Sequence, residues 1–489
     1  MTLRAPHRVP RPIAAALAAT CAAAALLAGC TNYVSGQAVS MMYDPFYVGG
    51  LPVTDGPSGQ RPDAVAPTGT VENTDDGEID RLALLSVNDV EQYWQHAYPE
   101  YFDSPFVPVE TLLSYDSTDR RSPKVCGSKT YNEPNAMYCP PDNLMAWDRG
   151  VLVPAVKKYF GEMAVAGLVA HEYGHAVQHT ADLVTKRSPG IVLEQQADCF
   201  AGGYLRWVTE GSSPRFALNT GDGLSRVLAA AIAGRDPVLT PKTEDLLLEE
   251  YGHGTALDRV SAVQMGFDSG PRACAAIDLT EIRERRGDLP MSLQPDSRGG
   301  LQTGEVPIDE ETLADLIEVL GEIFPLAQPP VLSYAAPDCP DAQASPPASY
   351  CPASNTITLD LAVLQQMGVP GDTEQGVLVQ GDDTVLSIVM SRYALAVQRE
   401  RGLPLDSPRT AMLTACLTGV AHREMSTPGR KLAITAGDLD EAVAGLLTNG
   451  LVASDVNGGV VPAGFTRITA FRSGVVGDEQ QCFGRFGAG

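Results

Sequence analysis

The chain repeats itself, and that repeat is the strongest constraint on its fold. Leu113-Ser114-Tyr115 recurs at Leu332-Ser333-Tyr334, each time ahead of a cysteine, Cys126 and Cys339. Tyr138-Cys139-Pro140 recurs at Tyr350-Cys351-Pro352, and an aspartate, Asp148 or Asp360, follows nine residues after each of these cysteines. HEYGHAVQ at 171–178 aligns with SRYALAVQ at 391–398, and Cys199 and Gly202 with Cys416 and Gly419. Gly221, Asp222 and Gly234 keep their spacing at Gly437, Asp438 and Gly450, as do Arg259, Gly266 and Cys274 at Arg467, Gly474 and Cys482. Matches in one order with unchanged gaps mean a duplicated domain, with copies at 86–276 and 309–489. The polar, Gly-, Pro- and Arg-rich stretch 277–308 suits a linker.

The duplication also orders the cysteines. Eight of the ten lie beyond Cys30, and eight permit 105 pairings. Equivalent pairing within each copy selects Cys126–Cys139, Cys199–Cys274, Cys339–Cys351 and Cys416–Cys482. No CxxC pair is present to suggest a thiolate metal site instead. Disulfides require an oxidising compartment, and the N-terminus agrees. Arg4, Arg8 and Arg11 precede an apolar run from Ile13 to Leu27, which ends in Leu27-Ala28-Gly29-Cys30. The order of charge, apolar run and lipobox predicts a lipoprotein signal over 1–29, cleaved before Cys30, which then carries the lipid, palmitate included. The expected location is the extracytoplasmic face of the cell membrane, held by acyl chains. A formal charge of −25 argues against nucleic acid as a partner and against adhesion to anionic lipid headgroups. Residues 30–85, rich in Gly, Pro, Ser, Thr and Asp, read as a flexible tether, with docking of Tyr43–Tyr47 as the alternative.

His171 and His175 stand at i and i+4, so both imidazoles leave one helix face toward one cation. Glu172 between them suits the role of general base. Gly174 in a helix interior costs about 1 kcal/mol relative to Ala, which predicts another backbone passing close by. Nineteen residues after His175, Glu194 and Asp198 share a helix face. Glu194 can complete a His2Glu site with an open fourth position, while Asp198 can take the N–H of a ligand histidine. His179 has no ligand geometry of its own and reads as a helix-surface residue. Longer HExxHxxGxxH chemistry fails, since Gln178 stands at the Gly position and Ala181 at the last His position.

HEYGHAVQ, EQQADCFAGGY and GHGTALDRVSAVQMGFDSGPRAC together resemble the bacterial neutral zinc metallopeptidases, a gluzincin-type family. With the lipobox and second copy, the whole chain looks like a lipoprotein peptidase of actinobacteria. The resemblance implies an α+β zincin-like fold in each copy, one Zn2+ held by His171, His175 and Glu194, and Glu172 as catalytic base. It also implies a sheet edge beside the active-site helix that holds a peptide as an added strand, for which the NLMAWD segment at 143–148 is the candidate. His253 is a candidate donor to the oxyanion of the tetrahedral intermediate, with Tyr251 a weaker one.

The second copy is stripped of this chemistry. Ser391, Arg392 and Leu395 replace His171, Glu172 and His175; Ala411 and Ala415 replace Glu194 and Asp198; Val461 replaces His253. The positions that shape the fold remain. The second copy is therefore expected to bind no zinc and to dock on the first, guide substrate or recruit a protein partner. The resulting reading is a membrane-anchored zinc metallopeptidase acting on peptide or protein, cell-wall peptides included. The rival is a non-catalytic surface binding or assembly lipoprotein with a structural or vestigial zinc site.

Overall fold

Apolar residues at helical spacing dominate the chain, and the computed structural model builds from them a mixed α+β body with small sheets. It describes residues 43–240, 252–287, 289–294, 304–335, 338–371, 378–427 and 429–487. The expected signal, the lipidation candidate Cys30 and Tyr251 lie outside these residues. No helix among them is long and apolar enough to cross a membrane.

The first half opens with helix α1 (Glu78–Tyr101) and a sheet of β1 (Thr111–Tyr115), β2 (Ala136–Cys139) and β3 (Leu144–Asp148). Helices α2 (Leu152–Phe160), α3 (Glu162–Thr180), α4 (Gly190–Thr209), α5 (Asp222–Ala233) and α6 (Ala256–Ser269) follow. β3 lies between the others, parallel to β1 in the register Thr111↔Leu144 and antiparallel to β2 in the register Ala136↔Trp147. The expectation of an edge strand at NLMAWD is thereby corrected. Leu144–Asp148 is central because Ala146 and Trp147 are buried and both flanks carry ladder partners. The edge strand packed against α3 is β2.

The second half runs through α7 (Glu310–Ile323), β4 (Val331–Ser333), β5 (Ala348–Cys351), β6 (Thr356–Leu359) and α8 (Leu361–Met367). It ends on α9 (Asp382–Glu400), α10 (Pro408–Met425), α11 (Asp438–Thr448), α12 (Gly464–Val475) and a short terminal helix. Its sheet has the same plan, with β6 central, parallel to β4 and antiparallel to β5. The four disulfides are the pairs that the repeat selects: Cys126–Cys139, Cys199–Cys274, Cys339–Cys351 and Cys416–Cys482.

The glycines common to both halves have a steric cause. α4 crosses α6 so closely that a β-carbon at Gly202 would overlap the Val263 carbonyl, and one at Gly266 the Cys199 carbonyl. α10 crosses α12 in the same way, Gly419 against the Phe471 carbonyl and Gly474 against that of Cys416. Backbone approach of this kind leaves room only for hydrogen.

The halves do not separate at residues 277–308: Met41–Gly489 forms one compact unit with a continuous apolar core. α11 packs on α5 and α6, burying Val443 and Leu446. Arg235 Nε donates to Asp440 Oδ2 at 2.9 Å, Ala256 N to Asp440 Oδ1 at 2.8 Å, and Gln264 Nε2 to the Phe465 carbonyl at 2.9 Å. Residues 43–77 also differ from the expected tether. Gly59–Gln60 pairs with Phe216–Ala217, Arg61 Nε donates to the carbonyls of Ser213 and Phe216, and Glu72 bridges Leu113. Tyr43 meets Phe486 edge-on, with ring centroids 5.6 Å apart. Few apolar residues mark this docking in the sequence, yet Val48 is fully buried and Tyr43, Leu51, Val53 and Val71 pack against the core beside the backbone hydrogen bonds.

Candidate metal centre

The site begins with the break between α2 and α3. Gly161 has φ +92°, a left-handed conformation that L side chains disfavour, and it lets α3 start in a new direction. Ala, Val and Met fill most of the first half of α3, and burial extends through Gln178. This places His171 and Glu172 at 5% and 8% exposure. Gly174 meets the neighbouring backbone that its presence predicts: a β-carbon there would lie 2.9 Å from Ala197 Cα and 3.1 Å from the Ala197 carbonyl oxygen. Only at this separation can the acidic side chains of α4 reach the imidazoles of α3.

Glu194 is the hub. His171 Nε2 lies 3.2 Å from its Oε2, His175 Nε2 3.6 Å from its Oε1, and His253 Nε2 3.4 Å from its Oε2. Oε2 is buried yet receives no well-formed hydrogen bond, although it faces two ring nitrogens. His171, Glu194 and His253 each offer a ligand atom within 4.8 Å of the others, while His175 touches Glu194 from one step outside that trio. A buried carboxylate oxygen without a proton donor, ringed by imidazole nitrogens, fits a zinc ion in donor type and number.

A second layer of side chains orients these groups. His171 Nδ1 lies 2.8 Å from Asp198 Oδ1, and Arg259 clamps the same carboxylate through Nε and Nη2 at 2.8 and 2.7 Å. His175 Nδ1 lies 3.0 Å from Gln178 Oε1, whose amide nitrogen donates to the Leu193 carbonyl at 2.6 Å. Asp236 accepts from the backbone N–H groups of His253 and Gly254 at 3.0 and 2.8 Å, fixing the loop that carries His253. Asp198 thus stands within hydrogen-bond distance of His171. Arg259, Gln178 and Asp236 were not anticipated as site residues. Arg259 and Gln178 left a trace as repeat-matched positions, and Asp236 left none.

Charge governs the ionisation states. Burial raises the carboxyl of Glu194, but His175, His171 and His253 outweigh it and hold the group down at about 2. Burial works against a proton on His171, yet Asp198 and Glu194 push that proton's release up to about 10. The site thus demands positive charge, which a proton supplies in the absence of a cation and which bound metal would replace. Burial raises Glu172 above the usual carboxylate range, with His171 and His175 opposing. That moves it toward the basicity a general base needs near neutral pH. His253 is 43% exposed at its side chain, and His179 lies on the surface beside Tyr138.

Residues 38–277 match the family described as "Putative neutral zinc metallopeptidase". That stretch contains every site residue named above. Over 175 residues the chain is 27% identical to an uncharacterized protein of Mycobacterium tuberculosis, covering 32% of this chain and 59% of that one. Over 153 residues it is 29% identical to the uncharacterized protein YpfJ of Escherichia coli K12, covering 28% of this chain and 52% of the other. The chain thus spans a little over half the length of these curated relatives. No solved structure matches it significantly.

The corresponding region of the second half is closed to such chemistry. Arg392, where Glu172 would stand, is fully buried; its guanidinium donates to Ser454 Oγ at 2.9 Å, and burial pulls it down to about 10. Arg467, matching Arg259, donates only to the carbonyls of Val461, Leu446 and Pro462. The position aligned with Asp198 holds Ala415, which offers it no carboxylate.

Proposed function

We propose that this chain is a zinc metallopeptidase, held at the extracytoplasmic face of the cell membrane by a lipid on Cys30, that hydrolyses peptide bonds in peptide or protein substrates. The observation that carries the reading is the buried Glu194 carboxylate facing three imidazoles, with Glu172 on the adjoining helix turn. His171, His175 and Glu194 would hold one zinc ion, with His253 able to join them. The ion would contribute Lewis acidity, the property that makes water a competent nucleophile at neutral pH. Glu172 would accept the proton of the attacking water and pass one to the departing amine. Asp198, anchored by Arg259, holds His171 in the tautomer that leaves Nε2 free for the metal. His253, exposed on its loop, can donate to the developing oxyanion when it is not a ligand. Substrate would lie along β2, the edge strand beside α3. The origin of the chain as two tandem zincin-like copies, the second without metal chemistry, belongs to the same proposal, as does a protein partner for that second copy.

The test compares the zinc-loaded chain, residues 30–489, with Glu172→Gln on a diverse peptide library, with zinc content measured in both. The expected result is cleavage by the wild type that falls by roughly 10²–10⁴-fold in the variant while zinc is retained. Equal cleavage by both would remove Glu172 from the mechanism. No cleavage by either, with zinc bound, would shift the assignment to the non-catalytic binding lipoprotein.

A further inference from the structure

The second half, which lacks zinc chemistry, buries a different set of acids. Asp382 and Asp383 open α9, and Asp438 and Glu441 lie in the first turn of α11; none is more than 5% exposed. Glu305, from the segment ahead of α7, joins them from the exposed side. Asp382 N donates toward Glu305 Oε2 at 3.4 Å, Asp383 N to Glu441 Oε2 at 2.9 Å, and Val306 N to Asp382 Oδ2 at 2.7 Å. His422 Nε2 lies 2.9 Å from Asp383 Oδ2.

The local charge does not balance. Two helix N-termini contribute about half a positive charge each, and a protonated His422 adds one. Were all four buried acids ionised, that would leave an excess of roughly two negative charges, which protons or a cation must offset. Asp438 has both oxygens occupied by Thr435, through its N–H and its hydroxyl at 2.8 Å each. Asp382 Oδ1 has no partner, although its residue is only 2% exposed. A buried carboxylate oxygen left bare is costly, and its neighbours here are other carboxylates.

Glu305, Asp382 and Glu441 each offer an oxygen within 4.8 Å of the other two. Calcium binds oxygens at about 2.3–2.6 Å, so ligands on opposite sides of the ion stand at most about 5 Å apart. We infer that Glu305, Asp382 and Glu441 form a calcium site, separate from the zinc centre, that joins α9, α11 and the segment entering the second half. The ligand set is all oxygen, as a hard cation requires. Glu305 gives the ion a route from solvent, and water would complete the coordination. Such a site would clamp the degenerate half through metal charge where the first half uses the Asp198–Arg259 pair.

The experiment is calorimetric titration of calcium chloride into the zinc-loaded chain, beside thermal unfolding with and without calcium. Wild type should bind one calcium and unfold at a higher temperature in its presence. The double variant Asp382→Asn, Glu441→Gln should bind at least about tenfold more weakly and show no calcium-dependent shift. Without calcium it should unfold no earlier than wild type, because it lacks the excess charge. His175→Ala, which disables the zinc centre, should keep the calcium response. Absence of calcium binding by wild type, or an undiminished response in the double variant, would overturn the site. Magnesium as effective as calcium would overturn the choice of ion.

Discussion

Replacing Asp198 by Asn separates two jobs performed by one carboxylate. The side chain is 2% exposed and accepts three charge-assisted bonds, one from His171 Nδ1 and two from Arg259. Asn keeps the volume and one acceptor oxygen but removes the charge, leaving the buried guanidinium of Arg259, itself 7% exposed, with only neutral partners such as the Gly234 carbonyl at 2.7 Å. Breaking a buried pair from one side costs about 3–5 kcal/mol. Separately, losing the group that orients a ligand histidine weakens metal binding by about 10–100-fold. Adding Arg259→Met removes the stranded cation, so the double variant should recover most of the stability. It should not recover zinc affinity, because His171 still lacks a charged anchor. Guanidinium unfolding midpoints of the metal-free protein measure the first effect, and competition with a chromophoric zinc chelator measures the second. Unchanged zinc affinity in Asp198→Asn, or affinity restored together with stability by Arg259→Met, would refute the orienting role and leave only an ion pair of the fold.

Two glycines on buried helices should respond in opposite directions. Gly266→Ala drives a methyl into the Cys199 carbonyl and must pry α6 from the helix bearing Glu194 and Asp198, so a loss of about 1–3 kcal/mol or more is expected, with weaker zinc binding. Gly445→Ala meets nothing within 4 Å and should raise the unfolding midpoint, worth up to about 1 kcal/mol. Asp268 titrates near pH 6, raised by burial against the pull of Arg472 and Arg206, and its Oδ1 has no partner. The folded chain therefore binds this proton more tightly than the unfolded chain. The stabilisation is complete at acid pH and is lost as pH rises from about 4 to about 6. Asp268→Asn should then stabilise by about 1–3 kcal/mol above pH 6, with the gain vanishing below about pH 4, as pH-resolved unfolding would reveal.

What could be read along the chain was whatever short-range geometry encodes. Two histidines one helical turn apart share a face in any α-helix, as do Glu194 and Asp198, so the candidate metal-binding cluster was visible before the fold. The cysteine pairs followed from the repeated motifs, because pairing the matched positions alike selects one partner for each. The glycines were visible as repeated positions but not as helix crossings, since the carbonyls they admit belong to helices more than forty residues away. NLMAWD has the composition of a strand, but its central place depends on two partner strands reaching it from opposite sides. Arg259, Gln178 and Asp236 gained their roles in the same way, through contacts that no spacing rule predicts.

The amino-acid sequence by itself determined the repeated motifs, the disulfide framework and the spacing of the candidate metal-binding residues, because each is written in local spacing or in repetition. Tertiary structure alone decided that the two halves share one core, that residues 43–77 lie on the body, and that His253 reaches Glu194. It also decided that four buried acids gather at the starts of α9 and α11. Those outcomes depend on which surfaces meet and how much water they exclude, and burial is a property of the packed whole rather than of any segment.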